Sequence, residues 1–174
     1  MNIDVASKWL GAGASAAVMI GVFVTVRSVW VATQTLEQSQ RAASATLVLN
    51  LRDKIDGNRY AAITKEIQNN GSDHPLAKER GGKFRDIDVE QYISNFEDIG
   101  YLVREGVIAE QMAYDHFSYD VEKAWCNADV HRVVEAARKS DRSPRADPFY
   151  AGFEILAKQY LSTERQSCKD LENQ

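Results

Sequence analysis

The pattern of polar and apolar positions is uneven, with a long apolar run near the start of the chain. Eighteen consecutive positions from Trp9 to Val26 carry no charged side chain, whereas charges are scattered through the rest. A helix of that length rises about 27 Å, close to the hydrocarbon thickness of a bilayer. Trp30 follows Trp9 by 21 positions, which suits one indole at each interface. We predict a transmembrane helix over residues 9–31, preceded by an N-terminal flank, residues 1–8.

The residues around this run bear on cleavage and orientation. A signal peptidase needs small residues at its cleavage site, but bulky Trp30 lies two positions before Ala32, which favours an uncleaved anchor. Lys8 precedes the run, whereas Arg27 and Arg41 follow it, and cations are enriched on the cytoplasmic side of a span. We therefore predict a single-pass protein of the cell inner membrane with its C-terminal domain in the cytoplasm.

A row of small residues lies inside the run. Gly13, Ala17 and Gly21 recur at every fourth position, so one face of the predicted helix lacks bulk. Such a face permits close approach of a second helix, although small residues are common in spans generally. The row predicts a transmembrane packing face whose partner, besides the lipid bilayer, is a second copy of the chain or another membrane protein.

Helix-forming sequence continues beyond the run. Between Trp30 and Gly57 there is no Pro or Gly, and we predict a long helical connector over residues 32–70 with a break near Gly57. Residues 71–85 contain three glycines and a proline among charges, without a sustained period. This composition predicts a solvated loop.

Residues 86–166 carry the clearest helical periodicity. Apolar side chains three and four positions apart extend from Val89 to Val103, and Asp88 has the position of the first residue of a capping box. Gly106 comes directly after this helix, where a left-handed residue ends a helix. The pattern predicts a helical hairpin followed by a C-terminal helix.

The second half of this region completes the predicted fold. A helix after Gly106 is expected to kink near Asn127, and Asp147 with Pro148 has the composition of a helix start. The chain then ends in a tail, residues 167–174. Because no strand alternation appears, we predict an all-α fold in which an N-terminal single transmembrane helix continues into a small helical bundle.

Charge and cysteine content narrow the function. The residues after position 35 include 19 basic and 24 acidic side chains, so nucleic acid is not an expected partner. Cys126 and Cys168 match neither a zinc site nor a redox pair. The position of Cys126 beside Trp125 favours a buried free thiol in a reducing compartment, and a disulfide between the two cysteines remains the alternative.

Candidate catalytic chemistry is sparse. His116 with Asp120, and His131 with Glu135, are spaced to put two ligands on one helix face, but the same spacing is typical of surface ion pairs. The sequence contains no P-loop, nucleophile elbow, zinc-protease or dinucleotide motif. We expect no catalytic residue, no metal and no cofactor, and hence a protein that is not an enzyme.

The stretch from Asn95 to Ile108 resembles a bacterial family of uncharacterised, membrane-anchored helical proteins with the motif N-F-x-x-x-G-x-L-V-x-x-G-x-I. The resemblance covers roughly residues 10–160 and implies an N-terminal membrane helix followed by a packed hairpin. It transfers no catalytic residue. The residues that it marks as a structural motif of packing and turn formation are Phe96, Gly100, Leu102, Val103, Gly106, Ile108, Phe117, Trp125 and Phe153.

Three classes of function fit these observations to different degrees. The leading hypothesis is a membrane-anchored helical interaction or scaffold protein, because a small-residue span is combined with few catalytic groups. The alternative is a cytoplasmic-side sensor or small-ligand regulatory module that responds through residues 71–85. A metal-dependent enzyme using His116 or His131 is the third and has the weakest basis.

Overall fold

A computed structural model describes the backbone of residues 3–141 and 147–171, and the side chains from residue 27 onward in these ranges except that of Asn58. Over these ranges the chain is helical and forms no β-strand, so the predicted all-α fold with a helical bundle is confirmed. The helices are α1 (Ile3–Asp56), α2 (Asn58–Asn69), α3 (Asp86–Arg104), α4 (Glu110–Cys126), α5 (Ala128–Ser140), α6 (Ala151–Thr163) and α7 (Cys168–Leu171), with one short 3-10 helix, Lys78–Arg80.

The chain divides into two compact units, residues 1–43 and residues 44–174. In the first unit, the described residues belong to α1. No helix is both long and apolar enough for a membrane crossing within the part of the chain that the structure describes. The side chains of the predicted transmembrane segment up to residue 26, including Gly13, Ala17 and Gly21, lie outside the described residues.

The second unit is a bundle with an aromatic core. Its most extensive contacts are those of α6 with α3 and with α4. Phe96 of α3 stacks on Phe153 of α6 at 5.5 Å between ring centroids, and Trp125 of α4 packs edge-on against Phe153 at 5.3 Å. Tyr92 extends the row at 5.0 Å from Phe96. Each such pair adds roughly 0.5–1.5 kcal/mol beyond its area burial, so this row holds α3, α4 and α6 together.

Helices α3 and α6 cross at two glycines. A Cβ atom added to Gly100 would lie 2.4 Å from the backbone carbonyl carbon of Gly152, well inside van der Waals contact. The crossing also completes the first turn of α6, because the Glu97 carboxylate accepts a hydrogen bond from the Phe153 amide at 2.8 Å. A carboxylate is favourable at a helix N-terminus, where backbone N–H groups lack partners. Glu97 therefore fixes α6 against α3.

The turn between α3 and α4 is built on a glycine. Gly106 has φ of 68°, the left-handed conformation that other residues adopt only with strain. Its amide donates to the Val103 carbonyl, and the amides of Val107 and Ile108 both donate to the Leu102 carbonyl. This bonding satisfies the last carbonyls of α3 and turns the fully buried Ile108 into the core.

Two predicted helix starts differ from the structure. Helix α3 begins at Asp86 without a side-chain cap, and Asp88 is bound by Arg85 at 2.8 Å instead of opening a capping box. Helix α6 begins at Ala151 after the left-handed Tyr150, not at Pro148. The start at Ala151 follows from tertiary contact, because Glu97 on α3 supplies the cap that the local sequence lacks.

The predicted kink near Asn127 is a complete break between α4 and α5. The Asn127 side chain accepts hydrogen bonds from the amides of Asp129 at 3.0 Å and Val130 at 3.3 Å, as an N-cap does. Its amide nitrogen donates to the His74 carbonyl at 3.2 Å. One side chain thus starts α5 and also ties it to the segment that follows α2.

The expectation of a free thiol at Cys126 is wrong, because Cys126 and Cys168 form a disulfide. The predicted tail contains α7, whose Leu171 is buried. The apolar pattern around Cys126 predicted that its side chain is buried, and in the structure this side chain is half-buried. The pattern gave no indication that Cys168 lies next to α4.

Candidate functional site

Residues of the two His–carboxylate pairs considered as metal ligands contact other partners. Asp120 is buried and accepts hydrogen bonds from Arg52 at 2.5 Å and from Gln68 at 2.9 Å. The His131 ring packs against Trp125 with 4.5 Å between ring centroids. Among the described residues, no group of three or more His, Cys, Asp or Glu side chains is arranged to hold a metal ion. The His116 and His131 pairs are therefore not brought together into one site.

Asp129 is a buried carboxylate that accepts hydrogen bonds from both backbone and side chains. With its side chain only 1% exposed, one oxygen accepts from the amides of Leu76 at 2.7 Å and Ala77 at 3.1 Å. The other accepts from Arg80 and from Arg132, both at 2.7 Å. Desolvation opposes ionisation, but these hydrogen bonds outweigh it and lower the pKa of Asp129. This carboxylate holds the segment 71–85 onto α5.

A second carboxylate fixes the same segment from α2. Glu66 bonds His74 through one oxygen and Lys83 through the other, each at 2.8 Å. The hydrogen bond from Lys83 lowers the pKa of Glu66, and the His74 contact lowers it further. Partial desolvation acts in the opposite direction but is outweighed. The region predicted as a solvated loop is thus fastened at both ends, and its Leu76 and Ala77 are fully buried.

A polar cavity of about 300 Å³ lies beside the disulfide. It is lined by the end of α2 and the start of the following segment, including Asn70 and Ser72, and by residues of α4 and α7. Lys123 at this cavity donates to the carbonyl of Leu171, which keeps α7 in place. The lining residues are Ile67, Gln68, Asn69, Asn70, Gly71, Ser72, Lys123, Cys126, Asn127, Cys168 and Leu171.

A more apolar groove of about 260 Å³ follows the crossing of α3 and α6. Because both helices have glycine at the crossing, the groove floor includes backbone, flanked by the side chains of Val103 and Leu156. Ile155 lines the groove and is 55% exposed, and Tyr101, next to the crossing, is 52% exposed. The rest of the lining is Gly100, Arg104, Glu110, Gly152 and Gln159.

Polar pairs border this groove. Arg104 binds Asp147 at 2.8 Å, and Gln159 donates to Glu110. An apolar floor with a charged border is the anatomy of a surface that binds an apolar side chain of another protein. Among the residues that the structure describes, the groove contains no unpaired buried carboxylate. Its shape is therefore better suited to binding than its side chains are to catalysis.

The structural motif predicted from the sequence lies around α3, α4 and α6. Phe96, Phe117, Ile108 and Phe153 are fully buried, Trp125 is nearly so, and Leu102 and Val103 are half-buried. Gly100 forms the helix crossing and Gly106 the turn. Sequence reasoning missed Glu97, Asp129 and Gly152, because their contacts with Phe153, Leu76 and Gly100 each join residues more than 50 positions apart.

These features define a class of small helical bundle, in which a hairpin closed by a glycine turn packs against a third helix through a glycine crossing. The model of the family described as a domain of unknown function (DUF4760) matches residues 15–160, and the chain belongs to this family. No curated protein and no solved structure matches this chain.

Proposed function

We propose that the protein is a membrane-tethered, non-enzymatic interaction module whose bundle binds an apolar helix of a partner protein along the α3–α6 groove. The observation that carries the proposal is the exposure of Ile155 in the lining of this groove, with the exposed Tyr101 ring beside Arg104 of the same lining. Burial of two such side chains on binding would contribute about 25 cal/mol per Å² of apolar area. Tyrosine is one of the residue types enriched among hot spots of binding.

The use of the buried charges supports binding in preference to catalysis. Asp120 and Asp129 are each neutralised by arginine and fixed by further hydrogen bonds. A catalytic acid or base needs a pKa near the working pH and access to substrate. The bonding of Asp129 lowers its pKa, which suits a structural anchor.

The tether in this proposal rests on the sequence of the apolar run and on the described part of α1. Trp30 is largely exposed on α1, as are Val29, Val31 and Leu36. An exposed indole one turn after Arg27, which ends the charge-free run, suits a membrane interface. The small residues Gly13, Ala17 and Gly21 give the proposed span a face for a second helix, either of the same chain or of another membrane protein.

A photo-crosslinking experiment tests the docking surface. The full chain would carry a photoreactive amino acid at Ile155, which is 55% exposed, in one variant and at Tyr119 of α4, which is 46% exposed, in a control variant. We expect one discrete protein adduct from Ile155 in native membranes and none from Tyr119, and Tyr101→Glu should remove the adduct. Equal labelling from both positions, or an adduct that survives Tyr101→Glu, would contradict the proposal.

The tether has its own test. Membranes containing the full chain are washed at alkaline pH, which removes peripheral proteins but leaves spanning helices in the pellet. We expect the chain in the pellet, and in the supernatant after Val18→Arg and Val22→Arg are introduced together, since arginine at the centre of a span is costly. Recovery of the unaltered chain in the supernatant would reject the tether.

The polar cavity favours a second candidate function, a small-ligand regulatory module. Amide side chains, the Gly71 backbone and Lys123 line it, which is a suitable surface for a small polar molecule. The detergent-solubilised full chain would be screened for thermal stabilisation by nucleotides, amino acids and sugars. A hit that is lost in Asn70→Leu supports this candidate, and no stabilisation across the panel removes it.

A further inference from the structure

We propose that the bundle is located on the extracytoplasmic side of the membrane, where a thiol-oxidising protein forms the Cys126–Cys168 bond. This assignment reverses the orientation expected from the cations, and it rests on the proposed tether. Two observations carry it: the disulfide itself, and the position of Cys168 at the start of α7, where the bond joins that helix to α4.

The bond joins two ordered elements. Cys126 is the last residue of α4 and Cys168 the first of α7, 42 positions apart, and their Cα atoms are separated by 5.2 Å. Helix α7 has four residues, which is too short to be stable alone. It is held by the crosslink, by burial of Leu171 and by the bond from Lys123 to the Leu171 carbonyl.

Both cysteines are half-buried and line the polar cavity, which gives small reductants a route to the sulfur atoms. In the cytoplasm, glutathione and thioredoxin keep such accessible pairs reduced, whereas disulfides persist in the periplasm and other oxidising compartments. A bond that fixes the described end of the chain therefore indicates an oxidising compartment.

Formation of the Cys126–Cys168 bond requires only the two thiols of this chain and the disulfide of the oxidising protein. The thiolate of one cysteine attacks the disulfide of the oxidising protein, forms a mixed disulfide and releases one thiolate of that protein. The second cysteine of the chain then attacks the mixed disulfide and releases the other thiolate. The chain loses two electrons and two protons, and the oxidant becomes a dithiol.

The charge pattern leaves room for this orientation. Lys8 precedes the apolar run, and Arg27 and Arg41 follow it, so the two sides differ by one positive charge near the run. With so small a difference, the positive-inside rule discriminates weakly between the two topologies. The disulfide is the stronger observation.

The test combines thiol trapping with labelling of the full chain in a bacterium that has an oxidising periplasm. Cells are acid-quenched and alkylated, then reduced and treated with a maleimide polymer that adds mass at each newly freed thiol. We expect two additions per chain in the membrane fraction after reduction and none before. In the Cys126→Ser variant, we expect a membrane-impermeant maleimide to label Cys168 in intact spheroplasts.

Free thiols in the membrane-bound chain, with Cys168 labelled only after lysis, would overturn the orientation and leave the tether intact. An oxidised chain released with the periplasmic contents would reject the tether and leave the compartment standing. A reduced chain in the cytoplasmic extract would overturn both. Trapping of the unaltered chain decides the outcome even if Cys126→Ser does not fold.

Discussion

Replacement of Gly100 by Ala tests the packing on which the groove depends. The added Cβ would lie 2.4 Å from the carbonyl carbon of Gly152, 2.5 Å from its oxygen and 2.7 Å from its Cα. All three are backbone atoms, so no side chain can rotate away. Relief requires α3 and α6 to separate by about 1 Å, since ordinary carbon contacts are about 3.5–4.0 Å apart.

Three contributions set the expected magnitude. Overpacking in a well-packed region costs about 1–3 kcal/mol or more. Separation also stretches the 2.8 Å bond from the Phe153 amide to Glu97, whose loss costs about 1 kcal/mol. Against these, Ala is favoured over Gly within a helix by about 1 kcal/mol. The free energy of unfolding should therefore fall by about 1–3 kcal/mol.

Two other glycines are matched controls in chemical denaturation of the full chain in detergent. Gly71 has no atom within 4 Å of an added Cβ and no positive φ, so Gly71→Ala should be neutral or slightly stabilising. Gly106 also has open space but φ of 68°, so Gly106→Ala should cost about 1 kcal/mol through backbone strain alone. Gly100→Ala should be the least stable of the three.

The three variants together separate steric clash from backbone strain. If Gly100→Ala is as stable as Gly71→Ala, α3 and α6 are not in backbone contact at Gly100, and the groove has no backbone floor there. Amide exchange at Phe153 gives a second reading, because only separation of the helices exposes that amide. Unchanged exchange in a destabilised Gly100→Ala would place the damage elsewhere.

Three further outcomes are expected. Burial raises the pKa of Glu122 from its ordinary value of 4.5, so ionisation of this carboxyl destabilises the fold as pH rises from 4.5 through the raised value. Glu122→Gln should therefore raise Tm at neutral pH but not below pH 4.5. Glu135→Gln, at an exposed position, should raise Tm at neither pH. Asp129→Asn should cost about 3 kcal/mol and speed amide exchange over residues 71–85, whereas exposed Asp53→Asn should do neither. Reduction of the disulfide, which closes a separation of 42 residues, should lower the free energy of unfolding by about 4 kcal/mol in denaturation with and without reductant.

Local patterns predicted the helices because the apolar faces of α3 and α4 repeat every three or four residues. Helix α1 ends at Asp56 and α2 begins at Asn58, as expected from Gly57. Such signals depend on neighbours in sequence, and a helix needs only its own face and ends to be recognised. The helical class of the fold was accessible for this reason.

The features that shape the candidate site were inaccessible because they are long-range. Glu97 appeared as one of two adjacent carboxylates on a helix, and nothing near it indicated a helix start 56 residues later. Asp129 has the position of an ordinary first-turn acid of α5, yet it fixes Leu76 and Ala77. In the sequence, Cys168 could not be distinguished from a residue of a C-terminal tail. In the structure, it begins α7 and is bonded to Cys126 of α4.

The same long-range bonds make the groove a preformed surface. The two helices that form it are joined by the Glu97 bond to the Phe153 amide and by the Phe96–Phe153 stack. Binding to a preformed groove avoids much of the ordering cost that a flexible surface incurs. In the proposed module, a partner helix would have to match the existing separation of α3 and α6, because widening the groove would break the cap of α6. Selectivity in the proposed module would then come from the shape set by the glycine crossing, with the charged border limiting which partners approach.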